Sequence, residues 1–199
     1  MKQVLAAVLA TILAAPALAA PAEQVTEPAS GVKFDAQAGE LQLLGVGLRT
    51  RTMLKVKVYA LGLYVDPVGL AAHKGKGVTP ALYKDLVWGD FRREIRMKFV
   101  RESVSADQIR GAFRDSLSGA DKAKTEAFLG YFGDTKAGDE YLLRWVPGGT
   151  LEVTVGGQPK PPIADKNFAA AVFAIWLGDK PIQADIKKGL AARAGEVLK

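Results

Sequence analysis

The run from Met53 to Val65 constrains this chain more than any other stretch. Leu54, Val56, Val58, Ala60, Gly62 and Tyr64 recur at every second position, with Lys55, Lys57 and Tyr59 leading the set between them. A period of two marks a strand whose side chains point alternately to opposite faces, and the even-numbered set is expected to face the core. The odd-numbered set begins charged and turns apolar after Tyr59, at Leu61, Leu63 and Val65. Tyr59 therefore sits where water gives way to a pocket or a second layer. Just upstream, Gly45 and Gly47 allow backbone conformations closed to other residues, and Arg49 and Arg51 follow them. A guanidinium and a phenol are thus placed to meet beside an apolar floor.

A strand of this kind needs layers to bury it, and 199 residues, 49% of them hydrophobic, supply one sizeable core. Residues 1–19 read as a secretory signal peptide: Lys2, an apolar run from Val4 to Ala15 too short to span a bilayer, then Ala17-Leu-Ala19 as a small-residue cleavage site. Residues 20–30, rich in Pro, Ala and Glu, read as a flexible lead-in, and 31–199 as one domain. The expected mature protein is periplasmic or secreted, with no stable membrane insertion after cleavage. It has no cysteine, so packing rather than cross-linking must hold it. The formal charge of +6 is spread along the chain among carboxylates, which gives no nucleic-acid footprint.

Further along, Val32 to Phe34 and Leu41 to Leu44 read as short strands, and Leu70 to Thr79 as a loop or frayed helix holding His73, the single histidine. With no cysteine and no acidic residue close in sequence, His73 reads as solvent-exposed, and neither a metal nor a cofactor is expected. Arg93 to Val100 alternates as a strand with Ile95, Met97 and Phe99 inward. Ser105-Ala-Asp-Gln108 is a capping box opening an amphipathic helix along Ile109, Ala112, Phe113, Ser116 and Leu117. A second helix is expected over Asp121 to Tyr131, with Ala127, Phe128 and Tyr131 on one side. Glu140–Val146 and Leu151–Val155 flank a Gly-rich turn as a hairpin. Asp165 caps a helix that is apolar on nearly every side, and a last helix from Asp179-Lys-Pro181 turns Ile182, Ile186, Leu190 and Ala194 inward. This order of elements predicts an α+β fold, an antiparallel sheet with helices packed on one face.

Gly45-x-Gly-x-Arg49, Lys57-Val-Tyr-Ala-x-Gly-x-Tyr64, Asn167-Phe168 and Ile175-Trp-Leu-Gly-Asp-Lys-Pro181 resemble the motifs of bacterial chalcone isomerase-like proteins, over about Gly31 to Ala194. The resemblance implies the chalcone isomerase-like open-faced sandwich. It also implies a choice of function, because the fold includes plant isomerases that cyclise chalcones, plant fatty-acid-binding proteins and bacterial relatives. The isomerases share an arginine, here Arg49. Where they carry threonine in the long strand this chain has Tyr59, where their helix carries tyrosine and asparagine it offers Gln108 and Asp115, and near the C-terminal helix it has Ile175. The fatty-acid-binding members hold a carboxylate with an arginine and a tyrosine, which Arg49 and Tyr59 match, with Arg51 as the alternative arginine.

The first reading that follows is a non-catalytic binder of a fatty acid or another small apolar carboxylate. An intramolecular lyase acting on a phenolic substrate through Arg49 is the second, and a protein-interaction module with a filled core is the third. Phe99, Phe113, Val172, Phe173 and Trp176 are candidates for an acyl pocket's lining or for plain core.

Overall fold

A computed structural model describes residues 23–51 and 54–199. The expected signal peptide, the first residues of the expected lead-in, Thr52 and Met53 lie outside the described residues. In chain order the elements are β1 (Gln24–Thr26), β2 (Lys33–Asp35), β3 (Gln37–Ala38), β4 (Leu41–Arg51), β5 (Val56–Val65), α1 (Pro80–Trp88), β6 (Arg93–Phe99), α2 (Ala106–Ser116), α3 (Lys122–Leu129), β7 (Glu140–Val146), β8 (Thr150–Val155), β9 (Gln158–Pro159), β10 (Ile163–Ala164), α4 (Lys166–Leu177), α5 (Ala184–Leu190) and α6 (Ala194–Val197). One antiparallel sheet runs in the order β10-β8-β7-β6-β5-β4-β3, with β9 also on β8, and β1 pairs with β2 beside it. The helices lie on one face of this curled sheet, as the alternation of strands and amphipathic segments predicts.

The central strand β5 differs from its sequence reading in which face carries the main core. Both faces of β5 are buried from Val58 onward. Tyr59, Leu61, Leu63 and Val65 join Ile95, Met97, Phe99 and the helices in the large core. Ala60 and Tyr64 instead join a small cluster with Phe34, Leu41 and Leu43 on the far side. There the β1–β2 hairpin supplies the lid: Phe34 lies against Gly62, where a Cβ would stand 2.7 Å from its ring. Part of the expected flexible lead-in is therefore structured, Gln24–Thr26 pairing with Lys33–Asp35.

The helices begin where their caps lie. Ser105 and Gln108 form the reciprocal capping box of α2, and Asp165 accepts from the Phe168 amide to start α4. Asp121 caps α3, which ends at Leu129, and Leu129 rather than the exposed Ala127 joins Phe128 inside. The expected single last helix is two, because the Arg193 amide turns aside to the Leu44 carbonyl at 2.9 Å and ties the chain to β4.

One solvent-side expectation is overturned, and one charged strand residue proves to be buried. His73 is 5% exposed, and its Nε2 lies 2.7 Å from Asp85 Oδ2, a carboxylate distant in sequence that α1 brings to it. Arg93 has no exposed surface and lies over Trp145, 4.0 Å from the ring centroid, between Phe91 and Phe173. Its guanidinium donates to the Val87, Gly89 and Phe91 carbonyls and so closes the C-terminal end of α1. Burial pulls its pKa down to about 9, which leaves it protonated at neutral pH.

Candidate functional site

The site forms where β4 and β5 fall out of simple register. Arg49 stands opposite Tyr59, and the next pair is Thr50 with Lys57, so Val58 is an extra residue on β5. A bulge of this kind re-aims side chains, and here Val58 and Tyr59 line the same cavity although they are neighbours in sequence. The cavity is about 200 Å³ and lies between this hairpin, β6 and α2. Val58, Met97, Phe99, Val104, Ile109, Ala112, Phe113 and Ile182 are its apolar lining, and Arg49, Arg51, Tyr59, Gln108, Asp115 and Ser116 its polar lining.

Arg49 is partly buried and held at one nitrogen. Its Nη1 donates to the Thr50 carbonyl at 2.7 Å and to Gln183 Oε1 at 3.3 Å. Gln183, at the start of α5, also accepts from the Thr50 amide at 3.1 Å and donates to the Leu48 carbonyl at 3.3 Å, so one side chain fastens α5 to the arginine strand. The described bonds engage Nη1 alone, and the guanidinium lies close enough to the Tyr59 phenol to favour its ionised form.

Tyr59 is 9% exposed, and its phenol oxygen accepts a hydrogen bond from Trp176 Nε1 at 3.3 Å. Burial raises its pKa above the ordinary 10.0, against the lowering effects of the Trp176 bond and the Arg49 charge, so at neutral pH the group is a phenol. Indole N–H only donates. The tyrosine must therefore accept from it, and the phenol keeps its own proton to donate elsewhere.

Five of the eight residues singled out from the sequence meet around this cavity: Arg49, Arg51, Tyr59, Phe99 and Phe113. The other three, Val172, Phe173 and Trp176, are fully buried on α4 without forming its wall. Phe173 packs on Trp145 and Arg93, and Trp176 stands behind Tyr59 as its donor. A helix apolar all round has more inward positions than one cavity uses, and its periodicity does not say which belong to it. Sequence reasoning did not assign Gln183, Ile182, Val58 or Met97 to the site, although Ile182, Val58 and Met97 each carried a signal as inward residues of their elements, and only Gln183 carried none.

A larger depression of about 1100 Å³ is lined by α1, the connection from α2 to α3, α4 and the approach to α5. Its Lys187 already donates to the Gly178 carbonyl at 2.8 Å and lies over the Tyr83 ring. No arginine lines it, whereas the smaller cavity brings Arg49, Arg51 and the Tyr59 phenol together and is the better candidate. Among the described residues no group of acidic, histidine or cysteine side chains is arranged to hold a metal, and no helix is long and apolar enough to cross a membrane.

Among solved structures, a fatty-acid binding protein from Arabidopsis thaliana has the same fold, with a TM-score of 0.75 and 22% identity over 88% of this chain and 99% of that one. Fatty-acid-binding protein 2 of Arabidopsis thaliana is 24% identical over 207 aligned residues, covering 88% of this chain and 52% of the relative, so the chain spans about half that protein's length. Chalcone–flavanone isomerase 1A of Glycine max is 27% identical over 203 aligned residues, covering 87% of this chain and 89% of the relative. A match to the family profile described as chalcone isomerase-like runs over residues 24–191, from the first strand to the end of α5, and makes this chain a member of the chalcone isomerase-like family.

Proposed function

We propose that the chain is an exported, non-catalytic binder of a compact apolar carboxylate, such as a fatty acid, in the cavity between β5 and α2. The observation that carries this reading is the pair of donors in its lining. Tyr59 has a phenol proton left over after accepting from Trp176, and the described bonds of the Arg49 guanidinium beside it engage Nη1 alone. Two donors in a cavity with a largely apolar lining suit an anionic oxygen pair attached to hydrocarbon, and charge-assisted bonds in such a place are the strong ones. The likeness to plant fatty-acid-binding proteins supports the same reading.

Size narrows the ligand. About 200 Å³ is below the ~300 Å³ at which pockets for drug-sized ligands begin, and above the ~150 Å³ of a cavity that takes up benzene. A short or branched acyl body fits as the cavity stands. A longer chain has to displace side chains, and Met97, unbranched and adaptable, is the one to move first.

Calorimetric titration with acids of increasing chain length and with their methyl esters tests the proposal. The acids are expected to bind, the esters to bind more weakly, and affinity to peak at a short or medium chain. Equal binding of acid and ester would refute the carboxylate reading, and saturable chalcone cyclisation would replace it with the lyase. Export is supported by the N-terminal sequence, and N-terminal sequencing of periplasmic material, expected to begin near Ala20, checks it.

Asp115 sits exposed in the same cavity wall and faces an incoming anion with a like charge. Asp115→Asn is expected to tighten acid binding by about 0.5–1 kcal/mol, the size of an exposed charge pair. Titration of the acid against this variant shows it, with the ester affinity unchanged.

A further inference from the structure

The hairpin that carries Arg49 and Tyr59 overhangs the sheet. Strand β6 pairs with β5 only from Tyr59 to Val65, and β3 pairs with β4 only at Gln42 and Leu41, so Thr50–Arg51 and Val56–Lys57 pair with each other beyond both neighbours. The overhang exposes apolar side chains: Leu54 is 87% and Val56 38% exposed, two of the few large hydrophobics in solvent among the described residues. Around them stand Arg51, Lys55 and Lys57, all exposed. From Leu41 to Val65 the sequence has four cations and no acidic residue. Lys55 holds φ +50 in the turn, a conformation that Gly or Asn adopts at lower cost, yet the position carries a lysine. The cavity reaches this end of the hairpin, where Arg49, Arg51 and Val58 line it.

We propose that the overhanging β4–β5 tip is a peripheral docking surface for an anionic lipid bilayer, with Leu54 and Val56 entering the headgroup region and Arg51, Lys55 and Lys57 meeting the lipid charge. A protruding pair of apolar side chains ringed by basic ones matches the two components of interfacial binding, apolar burial and attraction to anionic lipid. Docking at the tip brings this end of the cavity to the surface in which apolar carboxylates partition. This purpose rests on the carboxylate reading of the cavity. The docking does not, and it is measured without any cavity ligand.

The chain has no cysteine, so a single introduced thiol can be labelled alone. Protein beginning near Ala20 and carrying Leu54→Cys with a polarity-sensitive dye is mixed with vesicles of phosphatidylcholine, or of phosphatidylcholine with phosphatidylglycerol. The control is Val68→Cys, which is 79% exposed and lies past the other end of β5, roughly 30 Å of strand away. The expected result is a blue shift of the Leu54 label on the anionic vesicles, no shift on the neutral ones and none at Val68 on either. Adding Lys55→Glu to the labelled Leu54→Cys protein is expected to weaken vesicle binding about tenfold or more, because a charge worth about fivefold is removed and the opposite sign is put in its place. No shift at Leu54 on anionic vesicles, an equal shift on neutral ones, or an equal shift at Val68 would overturn the proposal. So would a Leu54 shift caused only by a protein added to the mixture, which would assign the tip to a protein partner. A positive vesicle result together with equal acid and ester titrations would keep the docking surface and reject the cavity's proposed ligand.

Discussion

Arg49→Ala is expected to weaken binding of the acid by about 2 kcal/mol, or roughly thirtyfold, and to leave the methyl ester's affinity nearly unchanged. The loss follows from removing a charge-assisted donor pair while the carboxylate stays partly desolvated against Phe99, Phe113 and Met97. Tyr59→Phe is expected to cost less, about 1 kcal/mol, since a neutral donor goes but the ring still packs edge-on to Phe99 at 5.6 Å. Arg49 also holds the Thr50 carbonyl and Gln183, so a loss of affinity by itself would not separate binding from local loosening. The ester separates them: loosening weakens acid and ester together, and loss of the anion partner weakens only the acid. Thermal melts of each variant complete the comparison. If acid affinity survives in Arg49→Ala, the anion is held elsewhere, and Arg51, on the same cavity wall, is the next residue to replace.

The pairing of Arg49 with Tyr59 was legible because both stand in strands, where alternation sets which residues share a face and the apolar turn of β5 after Tyr59 marks depth. The hairpin β7–β8, the caps of α2 and α4 and the inward face of β6 were legible for similar reasons, since each is written in residues close to one another in sequence. What the sequence concealed depends on contacts far apart in the chain. Alternation assigns two faces to β5 but does not say which one meets the helices, and the second core beneath Phe34 exists only because the β1–β2 hairpin folds over Gly62. His73 was read as exposed because its carboxylate, Asp85, arrives on a helix rather than beside it in the sequence. Arg93 shares the inward parity of Ile95 and Met97, and its charge outweighed that signal until three aromatic rings and three carbonyls were seen to surround it.

Gln183 shows the limit most clearly. Nothing around it in sequence marks it, yet its amide accepts and donates across the gap from α5 to β4 and helps fix the arginine. Its reach depends on how close α5 comes to the strand, and that closeness is set by glycines whose purpose the sequence reading mistook. Gly45 and Gly47 are absent from the residues with positive φ. Their missing Cβ atoms, not their backbone freedom, are what the fold uses.

Gly45→Ala is accordingly expected to destabilise the protein by about 3 kcal/mol, the upper end of ordinary overpacking. A Cβ at Gly45 would stand 2.1 Å from the Gly189 carbonyl oxygen and 2.7 Å from the Leu190 carbonyl carbon. Both are backbone atoms, so no side chain can rotate to make room and α5 must lift from β4 by roughly 1 Å or more to restore ordinary packing. For a chain of this length the loss corresponds to a fall in Tm of about 6–12 °C. Gly47→Ala is the graded control, because its Cβ would meet Ile186 Cα at 3.3 Å, a contact that a small shift relieves, and it is expected to cost under about 1 kcal/mol. Gly189→Ala meets Val46 carbonyl oxygen at 2.4 Å from the other side of the same contact. Once α5 has lifted to admit one methyl, the second enters at a lower cost, so the double variant is expected to lose less than the sum of the singles. The lift also carries Gln183 away from Thr50 and Arg49, and acid binding should weaken in Gly45→Ala even though its methyl lies outside the cavity wall. An unchanged melting temperature in Gly45→Ala, or strictly additive losses in the pair, would show that the two backbones do not depend on this glycine contact.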